Sequence, residues 1–241
     1  MAQNKISSGS YDLNKWLYGG YEKDIITMIA GPPGSGKTNL ALLAACSQAK
    51  KGNKVIFVDT EGGFSSERVK QIVEENPDET LKNIFLLKPI NFEEQKEIIN
   101  SLRSRIKKES VGLIIVDGMA MLYRLELGDR RDDSEQIHSL NREVAGQMRD
   151  LAEIARLHEI PIIITNQVYS QFLSEEDLKK GAEREMSIVG GDLFKYWSKC
   201  IIELRNDNRK RKAILLKHRY LPEKELPFEI RNKGIFRRGI F

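Results

Sequence analysis

Short apolar runs rich in Ile, Val and Leu recur at residues 25–30, 55–59, 84–87, 113–117 and 162–165. Longer stretches with helical periodicity fill the gaps, at 37–50, 65–75, 92–108 and 134–158. Strands that are apolar on both faces are strands covered on both faces. Alternation of such strands with helices requires βαβ crossovers, and so predicts a mostly parallel sheet flanked by helices. The pattern changes near Gly190 and Gly191. Residues 200–205 and 213–218 read as a strand pair joined by a turn at Asn206-Asp207-Asn208, followed by short pieces at 226–230 and 234–236. An antiparallel C-terminal extension of the parallel core is the expectation. Two long connections, 123–133 and 169–189, follow strand ends and carry no clear periodicity. Long connections in that place are commonly functional.

A chain of 241 residues suits one large α/β domain, with enough buried surface for a real core. No apolar run reaches the roughly 18 residues needed to span a membrane, and the polar opening residues lack the apolar stretch of a signal peptide. Cys46 and Cys200 lie far apart without CxxC spacing, so neither a disulfide framework nor a zinc site is expected. These features predict a cytoplasmic protein with reduced cysteines.

The most specific local signal is Gly31-Pro32-Pro33-Gly34-Ser35-Gly36-Lys37-Thr38, a full match to G-x-x-x-x-G-K-[ST] between a predicted strand and a predicted helix. Glycines let the backbone turn successive N–H groups into one anion-sized nest, and the following helix adds its positive end. Lys37 would reach the β- and γ-phosphates of ATP, and the Thr38 hydroxyl would ligate Mg²⁺. Asp117 ends the strand at 113–117, where a carboxylate can hold the same ion. Glu61, after the strand at 55–59 and beside Gly62 and Gly63, is placed to activate a water.

These motifs occur in a recognisable order. Ser8-Gly9-Ser10, Leu13, Leu17 and Gly19-Gly20 precede the glycine-rich loop. Then come Val58-Asp59-Thr60-Glu61-Gly62-Gly63-Phe64, Ser66-Glu67-Arg68, Leu113-Ile114-Ile115-Val116-Asp117-Gly118 and Ile164-Thr165-Asn166-Gln167-Val168. From Ile6 to its end the chain resembles the core of the RecA/RadA recombinases, closest to the archaeal RadB branch that consists of that core. The resemblance implies a single RecA-like ATPase domain over residues 1–241 that binds ATP, Mg²⁺ and DNA in recombination and repair. Low turnover, a RadA-type recombinase as partner and possible homo-oligomers are implied as well. It makes Glu61 the catalytic base and Gln167 the sensor of the γ-phosphate, and it places Arg68 against the adenine. Lys217 and Arg219, in Lys217-His218-Arg219, resemble an element that related ATPases insert into a neighbour's nucleotide site. The chain departs from the family in two respects. No Phe-x-x-Ala polymerisation segment precedes its core, so filaments of the usual kind are not expected. Gly118 stands where many relatives carry Ser.

Charge suggests where DNA would be expected to bind. Residues 205–241 hold 12 Lys/Arg against 4 Asp/Glu, a balance of +8; the whole chain carries +4, leaving −4 for residues 1–204. The connection at 123–133 contains Arg124, Arg130 and Arg131 but is net negative, as is that at 169–189. Phosphate backbones bind cations, so Arg209, Lys210, Arg211 and Lys212 are the leading DNA contacts, with Arg130 and Arg131 as the alternative. A different class of function also fits: a non-motor module in which ATP sets a conformation that a partner protein recognises.

Overall fold

The computed structural model describes residues 4–129, 134–170, 186–207 and 210–239. A small antiparallel pair, β1 (Lys5–Ile6) and β2 (Tyr21–Glu22), brackets helix α1 (Tyr11–Trp16). The core follows as β3 (Ile26–Gly31), α2 (Lys37–Ala49), β4 (Lys54–Asp59), α3 (Ser66–Val73), α4 (Pro77–Lys82), β5 (Ile84–Leu87), α5 (Phe92–Ile106) and β6 (Val111–Asp117). After these come α6 (Met121–Asp129), α7 (Ser134–His158), β7 (Ile162–Ser170), β8 (Met186–Ile188) and α8 (Gly191–Trp197). The chain closes with β9 (Ser198–Asp207), β10 (Lys210–Lys217), β11 (Lys224–Arg231) and β12 (Gly234–Arg237).

The main sheet runs in the order β12-β11-β10-β9-β3-β7-β6-β4-β5, with β8 paired to β7. From β9 to β5 all neighbours on this path are parallel. β10, β11 and β12 are antiparallel additions. Alternation along the strands builds a core on each face. Ile29, Phe57, Ile115 and Ile163 pack with α2 and with Ala213, Leu215, Leu226 and Phe228 of the antiparallel strands. Met28, Val58, Ile114 and Ile164 pack on the other face with Ile99 of α5 and with Met148 and Leu151 of α7. Helix α2 is buried nearly all round, at Leu40 through Cys46, which is why its sequence shows no polar face. Side-chain caps set the starts of two other helices: Ser65 accepts from Arg68 N at 3.2 Å, and Asn91 from Glu94 N at 2.8 Å.

Three expectations need correction. Residues 121–129 form helix α6, where the sequence pointed to an open connection from 123. Leu122 and Tyr123 are buried against α5 and α7, so the local arginines and acids conceal an anchored helix. The strand pattern at 200–205 extends through Asn206 and Asp207, which pair with Arg211 and Lys210 instead of forming the turn. β9 itself is parallel to β3, so the antiparallel part starts one strand later than the sequence indicated. The interior of the second long connection, 171–185, lies outside the described residues. Elements β1, α1, β2, α4 and α8 carried no period long enough to be read beforehand.

Candidate functional site

Strand register assembles the chemistry. Gly31 stands beside Gln167 in the β3–β7 ladder, and Asp59 beside Asp117 in the β4–β6 ladder. β3, β7, β6 and β4 are consecutive in the sheet, so their C-terminal ends form one continuous edge. Open α/β sheets take their ligands at that edge.

The loop between β3 and α2 is built for an anion. Gly36, the N-cap of α2, has φ 111° and provides no side-chain cap, leaving the first N–H groups of the helix for another acceptor. A Cβ on Gly36 would stand 2.9 Å from Ile230 Cδ1 and 3.9 Å from the Phe228 ring, so the antiparallel strands wall the loop on one side. Ser35 Oγ is buried and has no hydrogen-bond partner. Lys37 is buried as well; its Nζ donates to Gly31 O at 2.9 Å and Pro32 O at 3.1 Å. Burial lowers the Lys37 pKa, and the nearby Glu61 and Asp117 carboxylates oppose the shift. A desolvated cation resting on neutral carbonyls gains by exchanging them for phosphate oxygens.

Beside the loop, Thr38 Oγ1 donates to Asp117 Oδ2 at 2.8 Å. Thr165 Oγ1 donates to Asp117 Oδ1 at 2.5 Å and accepts the Gly118 N–H at 2.8 Å. Burial pushes the Asp117 carboxyl above its usual range; the two hydroxyls pull it down, and Glu61 and Asp59 push it up further. A Cβ on Gly63 would lie 3.3 Å from Thr38 Oγ1 and 3.4 Å from Asp117 Oδ2, so a residue without a side chain borders this pair. Hydroxyl and carboxylate oxygens are the donors that suit Mg²⁺. No group of three or more His, Cys, Asp or Glu able to hold a metal occurs among the described residues. An ion here would complete its shell with phosphate and water, as Mg²⁺ commonly does.

Asp59 shapes the next segment by accepting the Gly63 and Phe64 N–H groups, each at 3.0 Å. The resulting turn presents Glu61 to solvent, where its Oε1 accepts from Gln167 Nε2 at 3.1 Å. Thr60 Oγ1 donates to Asp117 O at 3.0 Å and Gly118 O at 2.8 Å, tying the β4 turn to the end of β6.

The structure thus brings Gly31 through Thr38, Glu61, Asp117 and Gln167 together. Arg68 has other partners: it donates to Asn39 Oδ1, Gln71 Oε1, Asn232 O and Arg231 O, clipping α3 to the β11–β12 turn. Lys217 and Arg219 stand at the opposite end of the sheet, because β10 runs antiparallel to β9. Lys217 Nζ donates to Lys195 O at 2.8 Å, and Arg219 holds Asp24 through two bonds of 2.7 and 2.8 Å, with Glu22 alongside. The basic run of the C-terminal hairpin is divided. Lys210 is exposed, Lys212 pairs with Glu225 at 2.9 Å, and Arg211 donates to Gly34 O at 3.4 Å. Arg209, Arg130 and Arg131 lie outside the described residues. Sequence reasoning passed over Thr165, Asp59 and Thr60, whose partners come from other strands. The one available signal was a polar residue at a strand's C-terminal end.

Sheet order, glycine-rich loop and flanking carboxylates define a RecA-like α/β core. A model of the Rad51 family matches residues 2–238, and the chain belongs to that family. It is similar to curated relatives named "DNA repair and recombination protein RadB". The relative from Methanobrevibacter smithii is 40% identical over 237 residues, 96% of this chain and 95% of the relative. That from Methanococcus maripaludis strain C5 is 41% identical over 224 residues, 92% and 96%. That from Methanocaldococcus jannaschii is 39% identical over 223 residues, 92% and 98%. No helix of the described residues is long and apolar enough to cross a membrane.

Proposed function

We propose that this chain is a DNA-binding ATPase of recombination and repair, of low turnover, which works in the cytoplasm beside the main RadA-type recombinase. One observation carries the reading: the glycine-rich loop, the Thr38–Asp117 pair and the Glu61–Gln167 pair converge on one sheet edge. The loop N–H groups and Lys37 hold the phosphates of ATP, and Thr38 and Asp117 hold Mg²⁺. The ion supplies charge neutralisation across the phosphate oxygens. Glu61 orients and deprotonates the attacking water. Gln167, bonded to Glu61 and standing beside Gly31 in the ladder, responds to the γ-phosphate and passes its state along β7. Turnover is slow because Lys217 and Arg219, the groups that would act in trans, are held within the chain by Lys195 O and Asp24. DNA phosphates are bound at the basic C-terminal hairpin, away from the phosphate loop's interior. Arg68 borders the base, and Lys217 and Arg219 act on a neighbouring copy when the Asp24 pairing is released.

The deciding experiment is ATP turnover with and without single-stranded DNA, over a range of protein concentrations, for wild type, Lys37→Ala and Glu61→Gln. Wild type should hydrolyse slowly and respond to DNA. Glu61→Gln should keep ATP affinity and lose about 100-fold or more in turnover, and Lys37→Ala should lose ATP binding. Equal turnover in wild type and Glu61→Gln would remove Glu61 as base. ATP-dependent partner binding without DNA-stimulated turnover would favour the non-motor module.

A further inference from the structure

The hairpin arginine that charge alone assigns to DNA has a different setting from its neighbours. On β10, Arg211 shares a face with Ala213 and Leu215, which lie in the core beneath α2. Directly across the ladder is Phe228, whose ring packs near Gly36. Arg211 therefore projects along the wall that the antiparallel strands raise beside the phosphate loop, and its Nη2 reaches Gly34 O at 3.4 Å. Its Nε is shut off from solvent and has no hydrogen-bond partner. Other arginines of this region are matched: Arg205 with Glu203, Arg219 with Asp24 and Arg231 with Glu229. Arg211 pairs with no carboxylate among the described residues. A half-buried guanidinium with one long bond to a carbonyl is poorly compensated. Its planar fork is matched in shape and charge by a phosphate group.

We propose that Arg211 is a nucleotide-binding residue acting in cis, closing its guanidinium on the terminal phosphate of a nucleoside triphosphate held in the loop. The assignment rests on the phosphate-site reading above and adds to it a second cation from a distant strand. Lys37 approaches from within the loop and Arg211 from the hairpin side, each parked on loop carbonyls: Gly31 and Pro32 for the lysine, Gly34 for the arginine. Lys210 and Lys212 sit on the other side of the same strand, Lys210 exposed and Lys212 paired with Glu225.

The test is titration of the full chain with MgATP and MgADP, for wild type, Arg211→Ala and Arg211→Lys, alongside thermal stability and DNA affinity without nucleotide. Arg211→Ala should weaken MgATP by about tenfold or more, the equivalent of one charge-assisted contact, and MgADP by much less. Arg211→Lys should recover part of the loss, and DNA affinity should hold. Unchanged ATP affinity, or equal losses for ATP and ADP, would overturn the assignment. So would a shallower salt dependence of DNA binding with nucleotide affinity intact, because Arg211 would then be a DNA contact. Wild type that bound neither nucleotide would refute the phosphate site itself, a result separable from failure of Arg211 alone.

Discussion

Gly118 follows Asp117 and has φ +84°, the left-handed region. A Cβ there would stand 2.4 Å from Thr60 Oγ1, 2.6 Å from Glu61 Cγ and 3.0 Å from Glu61 Oε1. Gly118→Ser is therefore expected to do harm. Holding an L residue in the left-handed conformation costs about 1–2 kcal/mol. Displacing Thr60 from Asp117 O and Gly118 O removes about 1 kcal/mol more. The sum is about 2–3 kcal/mol, which for a chain of this size lowers the melting temperature by about 4–12 °C. Because Glu61 must also move, turnover should fall further than ATP affinity. Thermal denaturation and ATP titration of wild type, Gly118→Ala and Gly118→Ser measure both effects. Ala and Ser should be about equally destabilised, since the clash begins at Cβ. Wild-type stability in both variants would show that the Thr60–Glu61 wall yields without cost, and the reasoning would fail.

Two further outcomes follow from the charges. Burial raises the Asp117 pKa, so the charged form is the less stable one in the folded chain. The sign is that of a raised acid: its stabilising contribution is whole below the usual carboxylate pKa of about 3.9 and is lost as pH rises through the elevated value. Asp117→Asn should therefore gain stability over wild type progressively across that window while losing the Mg²⁺ dependence of ATP binding; parallel melting curves at all pH values would contradict this. Neutralising Lys210 and Lys212 together should make the log–log salt slope of DNA binding shallower by about 0.7–0.9 per lost phosphate contact, with ATP affinity kept. An unaltered slope would move the DNA to another surface.

The parts of the site that were legible in the sequence are local ones. Residues 31–38 are contiguous, and Asp117 ends an apolar run, so the loop and the acid can be read without knowing which strands are neighbours. The Thr165–Asp117 bond joins residues 48 apart and exists only because β7 lies beside β6. Arg211 was read as one charge among four, because composition does not record which face of a strand a residue takes. Helix α6 was missed for a related reason: Arg124, Glu126 and Asp129 masked the buried pair Leu122 and Tyr123. The fold class was legible because period-two and period-3.6 patterns are properties of the chain itself. The short N-terminal elements, held by contacts such as Ser10 Oγ to Ile235 O at 2.7 Å, depend on residues 225 positions away.

The alternation along β10 also constrains how the strand itself can change in length. Removing or adding one residue within its first part, with the pairing before it kept, turns the rest of the strand over. Lys212, Ile214 and Leu216 would then face α2 in place of Arg211, Ala213 and Leu215, forcing a bulky side chain where an alanine fits and a lysine stem beside Gly34. Changes in steps of two keep every side chain on its own side. A single-residue insertion or deletion inside β10 is thus expected to cost far more than one in the turn before it, a length rule written by the packing of one alanine.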